Sequence, residues 1–388
     1  MRLYTFQFWL LCASHALFGA SFTMIIPELP AYLAELGGAE YKGLIIFLFT
    51  LTAGISRPFS GKLSDTIGRM PVMIIGTLVC VVCSAIYPLL PTVAGFLILR
   101  FLHGFSTGFK PTASAAYLAD IVPVDRRGEA MGVLGVSMNL GAFSSPPLGS
   151  WIVGEFSMNV MFYTSSAFAF VSIFILLGMK ETLPKPQKFR WSLLKISRYE
   201  IIEPRAIPPA IVTMLMYCCY GTLLTIVPDQ CDHLGMGNKG MFFSALTICS
   251  VLARLIAGRV SDRYGRVSVI KVSILLVVGS LIFMGFAETP LMIIIGSGLI
   301  GFSSGIAAPT VFAWTIDRST ADGRGRAMAT TYIALEIGIG SGALISAWIY
   351  HNEPSQFFMA LMATAFIAFL GWIYLQFVFG KKEPDFDA

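Results

Sequence analysis

Twelve apolar runs dominate this chain, and their length leaves few folds open to it. They cover residues 4–34, 40–64, 71–90, 92–119, 127–154, 157–179, 206–234, 239–261, 268–287, 290–316, 325–351 and 355–379, parted by clusters of charge and turn residues. A bilayer core takes about 20 apolar residues per helix, so each run is long enough to cross it. Lipid cannot satisfy an open backbone, so each run is predicted to be a helix or a pair of helix halves. Twelve helices of ~25 residues use roughly 300 residues. What remains of the 388 suffices for short loops and one longer linker.

Composition agrees with this. Hydrophobic types make up 56% and charged types 13%, about half the charged share of a soluble domain. A soluble globular protein, a disordered chain and a water-soluble catalytic domain are excluded. The net charge of +5 is an orientation signal. With the N-terminus inside and the sides alternating, inner loops and ends collect 21 of the 27 Lys and Arg, Arg2, Arg198, Lys381 and Lys382 among them. The outer loops hold only Lys42 and Lys239, and Arg57, Arg100, Lys110 and Arg254 stay within helices as buried cations. That asymmetry puts both termini in the cytoplasm and accounts for the basic excess without a nucleic-acid partner. The first run has one Arg and no A-x-A-like cleavage site, so it is predicted to be a retained helix. The seven cysteines lie mostly in apolar runs without metal or redox spacing and read as small apolar filler.

One polar stretch, 180–205, parts six runs from six. Trp191, Leu193, Leu194 and Ile196 among its basic residues predict a short amphipathic helix on the inner surface. The domains are then a bundle over 1–179, a cytoplasmic linker over 180–205 and a second bundle over 206–388. The bundles repeat at an offset of 197 residues: GKLSDTIGR at 61–69 becomes GRVSDRYGR at 258–266. In the same register Arg57 maps to Arg254, Asp120 to Asp317, Gly104 and Gly108 to Gly301 and Gly305, and Asn139 to Glu336. Duplicated six-helix halves predict an all-α membrane protein of two pseudo-symmetric bundles, with a site between them and motion by rocking.

Four segments then resemble a known family. Gly61, Asp65, Gly68 and Arg69 match G-x3-D-x2-G-R after the second helix, with Thr66 where the family pattern has a basic residue; the second copy has Arg263 there. Arg100, Gly104 and Gly108 in LILRFLHGFSTG match a membrane-arginine motif. Gly132, Gly141, Ser145, Pro146 and Gly149 match an exporter pattern in the fifth helix, with Ser145 in place of Gly. The first helix carries IIPELPAYL. Over essentially its whole length the chain resembles the major facilitator superfamily, in its twelve-helix drug:proton antiporter branch. The resemblance implies proton-coupled antiport and an Arg100 that neutralises a buried acid.

The residues suggest roles of their own. Asp65, Arg69, Asp262 and Arg266, with Asp120, Arg127 and Asp317 at nearby helix ends, make a twinned cytoplasmic latch. Gly61, Gly68, Gly258 and Gly265 allow its turns and close approaches. Gly-rich helix five, bent at Pro146-Pro147, makes a hinge. Intramembrane ionisable groups are costly and point to function. Glu28 ranks first as proton carrier, Glu336 second and Asp229 third. His103 lies one turn from Arg100 and either joins a proton relay or packs. Lys110 snorkels inward, pairs with Glu336 or meets an anionic group of the substrate. Phe18, Phe22, Met138, Tyr217, Tyr220 and Tyr332 either line an apolar cavity or pack.

Neither GxxxxGK[ST] nor HExxH occurs, and GxSxG occurs only as GFSTG at 104–108 and GFSSG at 301–305, inside apolar runs and not as a strand-to-helix nucleophile elbow, so ATP drive, a metal site and a hydrolase nucleophile are all unsupported. The expectation is a monomeric, multi-pass transporter of a bacterial inner membrane. It needs no cofactor beyond the coupling proton and exports an amphipathic small molecule. The alternative cargo is a polar or anionic metabolite or a metal chelator, uptake included. A cavity faced by both Lys110 and Arg100 would favour the alternative.

Overall fold

The computed structural model describes residues 4–123, 126–195, 202–319 and 324–379. The charges at Arg2, Arg198, Lys381 and Lys382 and the Ile196 end of the linker lie outside them. Among the described residues all regular structure is helical. The first run is two helices, α1 (Phe6–Met24) and α2 (Leu29–Glu35), joined by a 3-10 turn at Ile26–Glu28. Pro27 and Pro30 lack the donors that would carry α1 onward. There follow α3 (Lys42–Thr66), α4 (Arg69–Ile86), α5 (Val93–Ile121), α6 (Arg127–Glu155) and α7 (Met158–Leu177). The second series is α8 (Ile207–His233), α9 (Met241–Tyr264), α10 (Arg266–Gly285), α11 (Pro290–Asp317), α12 (Arg324–Tyr350) and α13 (Phe357–Phe379). Several starts are fixed by side-chain caps: Thr5, Thr92, Ser157 and Thr289 each accept the N–H three residues on.

All twelve predicted runs are therefore helical. Ten of the helical segments are apolar enough to cross a membrane by composition alone. The other two are α5, which carries Arg100, His103 and Lys110 on its buried side, and the Gly-, Ser- and Pro-rich α6.

By internal contact the chain falls into two units. One is Met1–Gly38 with Leu48–Ser197; the other is Ala39–Phe47 with Arg198–Ala388. In the first, α1 packs on α6 and α7, and α4 on α5 and α7. In the second, α8 packs on α12 and α13, and α10 on α11 and α13. The sequence repeat is thus a repeat of helix pairings. The first turn of α3 belongs with the second unit.

The linker is less independent than its composition suggests. Gln187 donates its backbone N–H to the Thr66 carbonyl (2.8 Å), and Lys62 Nζ donates to the Lys195 carbonyl (2.5 Å). The expected amphipathic helix is a single 3-10 turn, Trp191–Leu194. Leu193 and Leu194 pack on the first unit's core beside Leu63 and Leu118, while Trp191 is exposed. A four-residue turn between prolines and charges cannot recover the cost of helix nucleation. At the linker's far end, Glu203 pairs with Arg326 (3.1 Å) and the Arg205 carbonyl accepts from Arg318 Nε (3.1 Å).

Candidate functional site

The duplicated loops fold into duplicated charge clusters. Gly68 and Gly265 have φ of +120° and +83°, which only glycine adopts without strain. Each turn starts a helix with an arginine that reaches back. Arg69 Nη1 bonds Asp65 Oδ1 (2.6 Å) and the Ser64 carbonyl (2.5 Å), and its Nε bonds Asp120 Oδ2 (3.1 Å). Arg266 repeats this with Asp262 (2.5 Å), Ser261 Oγ (2.6 Å) and Asp317 (3.1 Å). Each cluster ties three helices of its own unit. Arg127 bonds the Ala119 carbonyl at the end of α5 (2.7 Å). Gly61 and Gly258 do not serve close approach: a Cβ on either would meet nothing within 4 Å.

Sequence reasoning missed Glu181 here. Its carboxylate accepts the N–H groups of Arg69 (3.0 Å) and Met70 (2.9 Å), the free donors of α4's first turn. It arrives from more than 100 residues away, so no local capping pattern signals it. Replacing Glu181 with Ala should cost about 0.5–1 kcal/mol. A thermal melt in detergent checks this; an unchanged midpoint would show that water replaces the cap.

Four ionisable side chains of the first unit, Glu28, Arg100, His103 and Lys110, are deeply placed. Glu28 is 3% exposed and accepts from Ser150 Oγ of α6 (2.6 Å). Arg100 is 1% exposed, its guanidinium 4.5 Å above the Phe49 ring. His103 Nδ1 lies 3.2 Å from the Tyr87 hydroxyl and its Nε2 3.2 Å from Cys80 Sγ. Lys110 Nζ donates to the Ser14 carbonyl (2.9 Å), Ser14 Oγ (2.8 Å) and Ser172 Oγ (2.5 Å). Its three hydrogens are therefore used inside the first unit, which replaces the predicted snorkelling or pairing with Glu336. The serines were missed because, one at a time, they resemble filler in an apolar run. Their seven-residue spacing, Ser14 to Ser21 and Ser165 to Ser172, was the available signal.

In the second unit Asp229 pairs with Lys42 of α3, both nearly buried. Lys42 also lines a cavity of about 450 Å³ with Tyr41, Thr225, Trp348, His351 and Asn352. Glu336 is buried on α12, and its counterpart Asn139 is half-buried on α6. Arg254 is not the buried cation expected: it is exposed, and Arg57 is half-buried. The cause is helical phase. The buried side of α9 runs through Ser250, Ala253, Ala257 and Ser261, and Arg254 stands one residue, about 100°, past it. Tyr217 and Tyr220 line a second, apolar cavity with Met216, Ile300 and Ala307.

The fifth-helix pattern divides into two kinds of residue. A Cβ on Gly141 would stand 2.2 Å from the Ala16 carbonyl, and one on Gly149 2.3 Å from that of Met24. These glycines set the crossing of α6 on α1. Gly132 faces open space, so no contact supports it as a hinge, and α6 runs unbroken through Pro146 and Pro147. Ser145 bonds Thr23 Oγ1 (2.8 Å), whereas its repeat mate Gly342 lies where a Cβ would be 1.9 Å from the Cys218 carbonyl. The first crossing thus has room for a hydroxyl that the second lacks.

Comparison with known proteins follows the same outline. The Major Facilitator Superfamily matches residues 11–237 and 209–386. Multidrug resistance protein MdtG of Klebsiella pneumoniae is 27% identical over 382 residues, covering 94% of this chain and 91% of its own. A multi-drug resistance efflux pump, the PmrA homolog of Lactococcus lactis, is 26% identical, with 85% of each chain covered. Among solved structures, the human organic anion transporter MFSD10 (TETRAN) superposes with a TM-score of 0.71 at 19% identity, over 95% of this chain and 98% of its own. The nucleoside transporter NupG gives 0.77 at 12% identity, over 96% and 100%. At such identities these two show a shared fold alone.

Proposed function

The chain belongs to the Major Facilitator Superfamily and is a multi-pass membrane transporter, not an enzyme; from that premise we propose that it exports amphipathic small molecules from a bacterial cytoplasm, driven by protons through alternating access. The observation that carries the choice of cargo is Lys110. A polar or anionic cargo would call for Lys110 beside Arg100 at the cargo's path. Instead its donors are used by Ser14 and Ser172, and it is 0% exposed. Resistance-protein relatives support the same reading. Glu28 is the proton-carrying carboxylate: buried, held by Ser150, and set at the break between α1 and α2 where the backbone can readjust.

The test is uptake of ethidium into inside-out proteoliposomes with an imposed pH gradient. Accumulation should follow the gradient and vanish with a protonophore. Glu28→Gln should lower gradient-driven accumulation by about tenfold or more. Equal rates and levels with the gradient collapsed would end the proton-coupled reading.

A further inference from the structure

The two units share a helix plan but not an interior. Cys80, Tyr87, Arg100, His103 and Lys110 of the first stand in repeat register with Val277, Met284, Ser297, Ile300 and Ala307 of the second. In the first unit these groups join a two-tier stack. Seven residues make nearly two helical turns, so Ser14 and Ser21, Ser165 and Ser172, and His103 and Lys110 each share a face of α1, α7 and α5.

In the upper tier Ser21 donates to the Ser165 carbonyl (2.7 Å), Ser165 donates to the Ser21 carbonyl (2.8 Å), and Ser21 Oγ lies 3.2 Å from Cys80 Sγ. In the lower tier Ser172 Oγ donates to the Ser14 carbonyl (2.8 Å), and both serine hydroxyls receive Lys110. The Phe18 ring lies 4.9 Å from Lys110 Nζ, and the serines, Phe18 and Lys110 are wholly buried.

A buried ammonium is ordinarily matched by a carboxylate, because lone charges are costly out of water. Among the described residues none lies within pairing distance of Lys110. The ionisable groups facing it are His15 from α1, whose buried Nδ1 makes no hydrogen bond, and Cys80 from α4. Its own helix adds His103 and Arg100 further along, and α7 offers only Ser172. The ligands of Nζ are hydroxyls and a carbonyl, and hydroxyls can reverse. As ammonium, Lys110 fills Ser14 O, Ser14 Oγ and Ser172 Oγ. As amine, it keeps two N–H donors for Ser14, and the Ser172 hydroxyl hydrogen turns from the Ser14 carbonyl to the nitrogen lone pair. Both states are satisfied without moving the backbone.

We propose that Lys110 is a proton-exchanging group of the transport cycle, held ready by Ser14 and Ser172 in the first unit alone. In the releasing state one N–H bond breaks, its electron pair stays on Nζ, and the proton passes to water admitted to the unit; in the loading state water returns it. This rests on the proton-coupled reading and adds a basic exchanging group to Glu28.

The test uses the full protein in proteoliposomes with ethidium and two readouts: gradient-driven accumulation, and ethidium exchange at equal pH, which needs no net proton movement. Lys110→Met, which cannot be charged, and Lys110→Arg, which cannot be neutral, should each lower driven accumulation by about tenfold or more, with exchange within about twofold of wild type. If either fails to fold, Ser172→Ala decides: loss of the turning hydroxyl should move the pH midpoint of driven accumulation by about one unit. Driven accumulation that survives in Lys110→Met, full rescue by Lys110→Arg, an equal fall in both readouts, or an unmoved midpoint in Ser172→Ala would each overturn the assignment. A wild type that ignores the gradient refutes proton coupling as a whole. A driven wild type with an equally driven Lys110→Met refutes Lys110 alone.

Discussion

Alanine at Gly104 or Gly301 will leave little folded transporter. A Cβ on Gly104 would stand 2.1 Å from the Phe49 carbonyl oxygen, and one on Gly301 2.0 Å from that of Leu246. These oxygens are backbone, so no rotamer change relieves the clash; the helices must part. Parting them also undoes the adjacent contacts of Gly108 on Ala53 and Gly305 on Ser250. Apolar association in lipid has little hydrophobic drive and depends on such close packing. Overpacking of this kind costs about 1–3 kcal/mol or more. Yield of monodisperse protein and its melting midpoint should both fall, while Gly132→Ala and Gly258→Ala, which face open space, should match wild type. Wild-type melting of Gly301→Ala would show that α9 and α11 yield freely.

Asp65→Asn should cut transport by about tenfold or more while leaving the amount and stability of folded protein unchanged. The reasoning is one of magnitudes. Asp65 is 70% exposed on its side chain, and its bond to Arg69 spans one helical turn at the surface. Such pairs contribute about 0–1 kcal/mol, too little to hold the fold. A large functional loss would then report a role in switching between states. Asp262→Asn, 67% exposed, has the same geometry and should act in the same direction. Transport at the wild-type rate with normal membrane levels would reduce both clusters to solvated loop charges.

The fold was legible because apolar length and the 197-residue offset each constrain it separately, and the helix pairings obey both. Arg69 and Arg266 were legible because both partners of each lie in duplicated motifs. What could not be read was phase and distance. Arg254 shares its motif position with Arg57, but one residue of helical phase carries it off the buried side. Gly61 and Gly132 match family patterns, yet no neighbour approaches them. Glu181 caps a helix from across the sequence. The serines of α1 and α7 acquire meaning only when stacked against α5.

Each end of the linker is moored to its own unit. Lys195 is fastened to Lys62, and Glu203, eight residues on, is fastened to Arg326. At about 3.5 Å per extended residue, eight residues can span no more than about 28 Å. A change of state that needed more slack than this would have to pull one mooring loose.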